Sequence, residues 1–168
     1  MLDKKQIIQW VQALGTSIGK ETLSQLFQDD KTQSDNKIGH GQFRELAALC
    51  SAAECYEEIE LLVKYNTAKA KQDKSWAMPC GNKKFGDLIV ESMKQIKNAE
   101  QNTDDVLTDL MHFFGYLYWQ SRVWSAENPA SQKDPKGSSY RDNNYKSRQS
   151  GGYGKQNSQH KGGSNNAV

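Results

Sequence analysis

A chain of 168 residues, 36% hydrophobic and 25% charged, sets a default of one domain with its own core. Its formal charge of +2 divides unevenly, because residues 126–168 carry seven Lys or Arg against three acidic residues and residues 1–125 therefore stand at −2; a basic field over the whole surface is excluded, and nucleic acid would need a local patch. No apolar run approaches the about 18 residues that span a bilayer, and MLDKKQIIQW lacks a signal-peptide hydrophobic region, so the chain reads as cytoplasmic with no membrane partner.

Residues 3–28 read as one helix broken in two. Ile7, Ile8, Val11 and Leu14 form an apolar face, Gly15 and Gly19 interrupt it, and Leu23, Leu26 and Phe27 resume it. Residues 29–37 (DDKTQSDNK) are polar turn formers and predict a surface loop. A helix from about Gly41 to Ala53 turns Phe43, Leu46, Ala47, Leu49 and Cys50 inward, with Arg44 and Ser51 opposite. The next, from about Glu54 to Gln72, has a core stripe of Tyr56, Ile59, Leu62, Val63, Asn66 and Ala70. Its outer face, Glu60, Lys64, Thr67 and Lys71, is acidic first and basic last, as the helix dipole favours.

Residues 73–82 contain Pro79 and Gly81 and predict a loop, with Trp76 and Met78 capping the bundle. A helix over Lys83–Ala99 buries Phe85, Leu88, Ile89, Met93 and Ile96 and offers Lys83/Asp87 as an (i, i+4) pair. Asp104–Trp124 is the segment the others must pack around. Val106, Leu107, Leu110, Phe113, Phe114, Leu117, Ser121 and Trp124 recur at spacings of three and four. Met111 and Tyr118 add a second stripe and leave a polar strip of Asp105, Asp109, His112 and Gln120. Thr103 reads as N-cap ahead of two first-turn carboxylates, and Arg122 as a last-turn cation. Gly115, at about 1 kcal/mol against Ala, suggests a close helix approach.

No segment carries the alternation of a strand. The fold class is all-α, a compact bundle of about five to six helices over residues 1–125. Residues 126–168 lack Leu, Ile, Phe, Met, Trp and Cys and cannot offset their ordering entropy, so a disordered Gly/Ser/Asn/Tyr-rich basic tail is predicted.

Catalytic signatures are absent. There is no phosphate-binding loop, no HExxH and no nucleophile elbow, and His40 and His112 stand too isolated to form a base with an orienting partner. A non-enzyme without cofactor is expected. Cys50, Cys55 and Cys80 read as buried reduced thiols, since Cys50 and Cys55 lack zinc-knuckle spacing. What remains is binding. Arg44, Lys64, Lys69, Lys71, Lys83, Lys84 and Arg122 would converge on one face if the helices at 41–53, 54–72 and 104–124 pack side by side, and such a face could track a nucleic-acid backbone.

The run GQFRELAALCSAAECYEEIELLVKYNTAKAK followed by DDVLTDLMHFFGYLYWQSRVW resembles the small helical, Csm-type subunit of type III CRISPR–Cas effector complexes. The likeness covers about residues 38–124. It rests on Gln42-Phe43-Arg44, on Glu58-Ile59, Leu62, Lys64, Tyr65, Ala68 and Lys69, and on Phe113, Tyr116 and Trp119. The family's final helix usually ends in a small residue, Tyr and His or Lys; here Tyr118-Trp119-Gln120-Ser121 stand there, and the tail lies outside the pattern. The resemblance implies a non-catalytic subunit that stacks with copies of itself and with other subunits of the complex. It would line the groove of the guide RNA–target RNA duplex and contact backbone while base pairing supplies specificity. Arg44, Lys64 and Lys69 match the family's basic positions; Lys71, Lys83, Lys84 and Arg122 extend them by helical geometry. An alternative is a stand-alone single-stranded nucleic-acid binder that uses Tyr140, Tyr145 and Tyr153 among the cations of its tail.

Overall fold

The computed structural model describes residues 1–28, 36–100 and 102–127, with only the backbone of Gln28 and Thr103. Most of the expected loop at 29–37 and nearly all of the tail at 126–168 lie outside the described residues. The described residues form six α-helices: α1 (Lys4–Ile18), α2 (Lys20–Leu26), α3 (Gly41–Cys50), α4 (Tyr56–Lys69), α5 (Phe85–Ala99) and α6 (Thr103–Ala126). All belong to one compact unit. None is long and apolar enough to cross a membrane.

The stripe on α6 is the core. Val106, Leu110, Phe113, Phe114, Leu117 and Ser121 are buried, and full burial of each large apolar side chain contributes about 1.5–3 kcal/mol. α3 and α1 are its main partners, α2 and α5 also touch it, and α4 packs on α5. Gly19, at φ 84, divides α1 from α2, a conformation that glycine adopts without a Cβ penalty. Gly15 does not interrupt α1: it lies inside the helix, facing the Trp124 indole, where a Cβ would fall 2.2 Å from Cζ2. The expected close approach at Gly115 is absent, with nothing within 4 Å of an added Cβ. Gly86, like Gly15, meets a neighbouring helix, here against Thr67 of α4.

Strand pairing occurs where no alternation announces it. Phe27–Gln28 (β1) pairs in parallel with Ile38–Gly39 (β2), and Pro79–Cys80 (β3) pairs antiparallel with Lys83–Lys84 (β4). Two residues per strand are too few for a period to show. The second pair is a hairpin across Gly81-Asn82, and Gly81 at φ 66 supplies the turn. It moves the start of α5 from the expected Lys83 to Phe85. Lys83 therefore does not pair with Asp87; its Nζ reaches Glu91 Oε2 at 2.7 Å, while Asp87 accepts from the Lys84 N–H. α4 is shorter than expected because Cys55 and Ala70 are extended at its two ends. α6 continues past Trp124, so Arg122 is not in its last turn, and Asn102 rather than Thr103 caps it, its side chain accepting from the Asp104 N–H. Ile8 and Leu49, expected inside, are exposed.

Aromatic rings join these helices. Phe27 stacks on His40 and on Trp124, with both centroid separations 5.8 Å, and stands edge-on to Phe43 and Phe85. Trp76, in a 3-10 turn at Ser75–Ala77, closes the group against Phe43 and Phe85. Trp76 thus belongs to the interior rather than to a cap.

Asp109, placed on the polar strip by periodicity, is wholly buried, and both its oxygens accept the Leu2 N–H at 3.2 and 3.0 Å. Burial raises its pKa, and that backbone bond opposes the rise. The Met1 ammonium lies 2.7 Å from Asp105 Oδ2 and 2.8 Å from Glu100 Oε2. Hydrogen bonding to Asp105, then to Glu100, raises the amine to about 10, and the same contact holds the Glu100 carboxyl near 2.

Three measurements check this description. Gly86→Ala should lose about 1–3 kcal/mol in chemical denaturation, because Thr67 Oγ1 is tied to the Val63 carbonyl at 2.9 Å and cannot simply turn aside. Gly115→Ala, with open space, should gain about 0.5–1 kcal/mol. The amine contributes stability that is complete below its ordinary pKa of 8.0 and lost as pH rises through about 10. Melting temperature should therefore fall over that interval by more in the free-amine chain than in an N-acetylated one; equal falls would contradict the assignment.

Candidate nucleic-acid interface

Each of the seven expected cations is exposed, but their convergence needed α3, α4 and α6 side by side, and α4 has α5 as its main neighbour. Lys69 and Lys71 are brought together, at the mouth of a groove of about 680 Å³ between α3 and α4. Leu46, Leu49 and Glu45 line its α3 wall, and Leu62 and Asn66 its α4 wall. Arg44 is two residues from Leu46 and Lys64 two from Leu62, so each lies about 200° around its helix from the groove. Lys64 instead pairs with Glu60 at 2.6 Å, on the side where Lys94 of α5 also approaches Glu60. Hydrogen bonding to Lys64 lowers the Glu60 pKa. Lys83 is held by Glu91, and Lys84 stands beside it at the start of α5. Arg122 lies over the Tyr118 ring and donates to its hydroxyl at 3.3 Å.

Rings as well as cations reach solvent. Tyr65 is 57% exposed, and Lys69 Nζ sits 5.2 Å from its ring centroid. On α6, Trp119 is 64% exposed and packs against Tyr116 at 5.8 Å. Both fall off the apolar stripes of their helices, a signal that helical periodicity carries for anyone who asks what an off-stripe aromatic is for. An exposed ring beside a cation can stack a base and meet its phosphate.

The groove has a polar end that sequence reading missed. Trp76 Nε1 donates to Gln42 Oε1 at 2.6 Å. An indole N–H only donates, so this contact fixes which end of the Gln42 amide is oxygen and leaves its NH2 for another acceptor. Lys37, whose ammonium donates to the Ser24 carbonyl at 3.4 Å, and Ser75 also line the groove. Ser75 and nearby Asp73 have φ of 51 and 59, the left-handed region that side chains other than glycine's seldom enter. The Ser75 N–H is held by the Asn36 carbonyl at 3.0 Å.

His40, which looked isolated, is buried between two serines of α6: Nδ1 is 2.8 Å from Ser121 Oγ and Nε2 is 3.2 Å from Ser125 Oγ. Ser121 gives its own proton to the Tyr118 carbonyl, so its oxygen accepts from Nδ1–H, and Ser125 then donates to Nε2. The 81-residue separation of His40 and Ser121 hides this from any local pattern. Such a ring pins α3 to α6. Cys50 is buried, with its thiol pushed up to about 12, and half-buried Cys80 is raised to about 11, both by desolvation. Cys55, expected inside, is exposed, because it precedes α4 in extended backbone. Among the described residues no three His, Cys, Asp or Glu side chains are grouped to hold a metal ion.

Compared with protein-family models, with curated proteins and with solved structures, the chain finds no match.

His40→Leu should lower unfolding free energy by about 1–3 kcal/mol, since both ring bonds go at once, and Ser125→Ala by about 0.5–1.5 kcal/mol. A full-size loss from Ser125→Ala alone would show that the Nε2 bond, not the Nδ1 bond, holds the two helices.

Proposed function

We propose that this chain is a non-catalytic small subunit of a cytoplasmic, type III CRISPR RNA-guided interference complex, contacting guide and target RNA backbone and bridging neighbouring subunits. The observation that carries the reading is the exposure of Arg44, Lys64 and Lys69, the three cations at the resembling family's basic positions, on helices whose opposite faces build the core. Backbone contact needs cations at the surface of a rigid support and no group that reads base edges. Lys64 is engaged with the largely buried Glu60 carboxylate, but Lys64 itself is exposed and Lys94 also approaches Glu60, so Lys64 can turn to a phosphate while Glu60 keeps a cation nearby. Lys69 carries its ring partner Tyr65 with it. Arg122, Lys83 and Lys84 occupy other parts of the surface and would meet other stretches of RNA or other subunits.

The test is affinity purification from the native host of the wild-type chain and of Arg44→Glu/Lys64→Glu/Lys69→Glu. The wild type should bring down larger subunits together with short RNAs that share one repeat-derived end. The triple variant should keep its melting temperature and lose RNA, and its salt dependence should flatten by about two to three units of log–log slope. Unchanged RNA recovery in the variant would remove these residues from the interface; recovery of the wild type alone would remove the complex.

The composition of residues 128–168, with Tyr140, Tyr145 and Tyr153 among Arg and Lys, favours a second reading, a stand-alone single-stranded nucleic-acid binder acting through its tail. Truncation after Glu127 separates the two and spares Ser125, which contacts His40. Loss of all RNA affinity on truncation would favour the tail, and retained affinity the helical body.

A further inference from the structure

We infer that the groove between α3 and α4 is a binding site for a nucleoside monophosphate, free or as one unstacked nucleotide of a strand, with the base held inside and the phosphate at the mouth. The inference rests on the chemistry of the groove and goes beyond backbone contact by exposed cations, for which neither Arg44 nor Lys64 needs to reach it.

The volume, about 680 Å³, falls within the about 300–1,000 Å³ usual for small-ligand sites. Leu46 and Leu49 face Leu62 and Ala70 across it, two apolar walls suited to the faces of a flat heterocycle. Polar side chains line it as well. Gln42, its oxygen already given to Trp76, has amide protons to offer a ring nitrogen or carbonyl, and Asn66 supplies a second amide. Glu45, the one carboxylate among the described lining residues, can accept from an exocyclic amino group. Lys37, Lys69 and Lys71 are the described cations of the lining, Lys37 donating to the Ser24 carbonyl at 3.4 Å, and Lys69 and Lys71 are the exposed pair that a phosphate can meet. The exposed Tyr65 ring, not itself on the lining, lies beside Lys69, one helical turn away. Ser75 on the lining is kept in left-handed backbone while its N–H is held by the Asn36 carbonyl, a strained conformation of the kind that gathers at ligand sites.

Titration of the full chain with cytidine monophosphate, followed by NMR of its methyl and indole groups, tests the site. Saturable shifts should be confined to Leu46, Leu49, Leu62 and the Trp76 indole N–H. Two variants at exposed positions keep the fold out of question: Leu49→Trp fills the groove and should abolish the shifts, and Lys71→Ala should weaken binding about tenfold. Arg44→Glu/Lys64→Glu, which leaves the lining intact, should bind the nucleotide as the wild type does even where it loses RNA in the complex. A short oligocytidylate that shifts the same residues when the mononucleotide does not would assign the site to a nucleotide within a strand. Absence of shifts with both ligands would overturn the proposal. So would equal shifts and affinity with inorganic phosphate, or undiminished binding by Leu49→Trp.

Discussion

Five elements of this fold meet on one phenylalanine. Phe27 ends α2, lies on β1, and has His40 and Trp124 stacked on it with Phe43 and Phe85 edge-on. Stacked and edge-to-face pairs add about 0.5–1.5 kcal/mol each beyond the area they bury. Their larger effect is on specificity. Each ring fixes the angle of its neighbour, so the end of α2, the start of α3, the start of α5 and the end of α6 have one mutual arrangement. Trp124 reaches Phe27 only because Gly15 leaves room for the indole against α1. His40 joins the stack from α3 and, through Ser121 and Ser125, ties the same ring to α6 by hydrogen bonds. Apolar and polar contacts therefore reinforce one joint rather than two.

The functional candidates sit away from that joint. Arg44, Lys64, Lys69 and Lys71 project from α3, α4 and the turn after α4, backed by buried Phe43, Leu46, Ile59 and Val63. Lys64 is tied to Glu60 and Lys69 to the Tyr65 ring, with both cations themselves exposed. A rigid interior with replaceable outer contacts suits a part that is held among larger partners. It lets the cations be redirected toward phosphate without cost to the helices that carry them. The α3/α4 groove differs in kind, because its amides and apolar walls are placed by core residues: Trp76, which orients Gln42, is itself packed on Phe43 and Phe85.

What could be read in advance follows the range of the interaction. The stripe on α6, the break at Gly19 and the inward faces of α3, α4 and α5 come from spacings of three and four, which local sequence displays. Gly15 and Gly115 show the limit: both are glycines among apolar residues, and only the partner across the gap, Trp124 for one and nothing for the other, separates packing from tolerance. Asp109 fell on a polar strip by angle, yet it is buried because the chain start returns to it. His40 looked alone because its partners lie more than eighty residues away. The cations of the candidate interface were identifiable by type and exposure, but whether they share a face depends on which helix α4 chooses as its neighbour. Periodicity does not contain that choice. The groove was hidden for the same reason: its two walls belong to different helices, and its polar end to a turn.

The parallel register of Phe27 with Ile38 and Gln28 with Gly39 has a bearing on how this sequence can vary. Parallel strands are usually joined through a dozen or more residues, whereas nine stand between these two. Both anchors are secured from inside, Phe27 by its rings and Ile38 by complete burial. Closing a longer connection between fixed ends costs only about 0.6 kcal/mol per doubling of its length. Loop closure thus sets no sharp limit on the length of the connection between Gln28 and Asn36, whereas at the turn between α5 and α6 Glu100 and Asp105 hold the chain start.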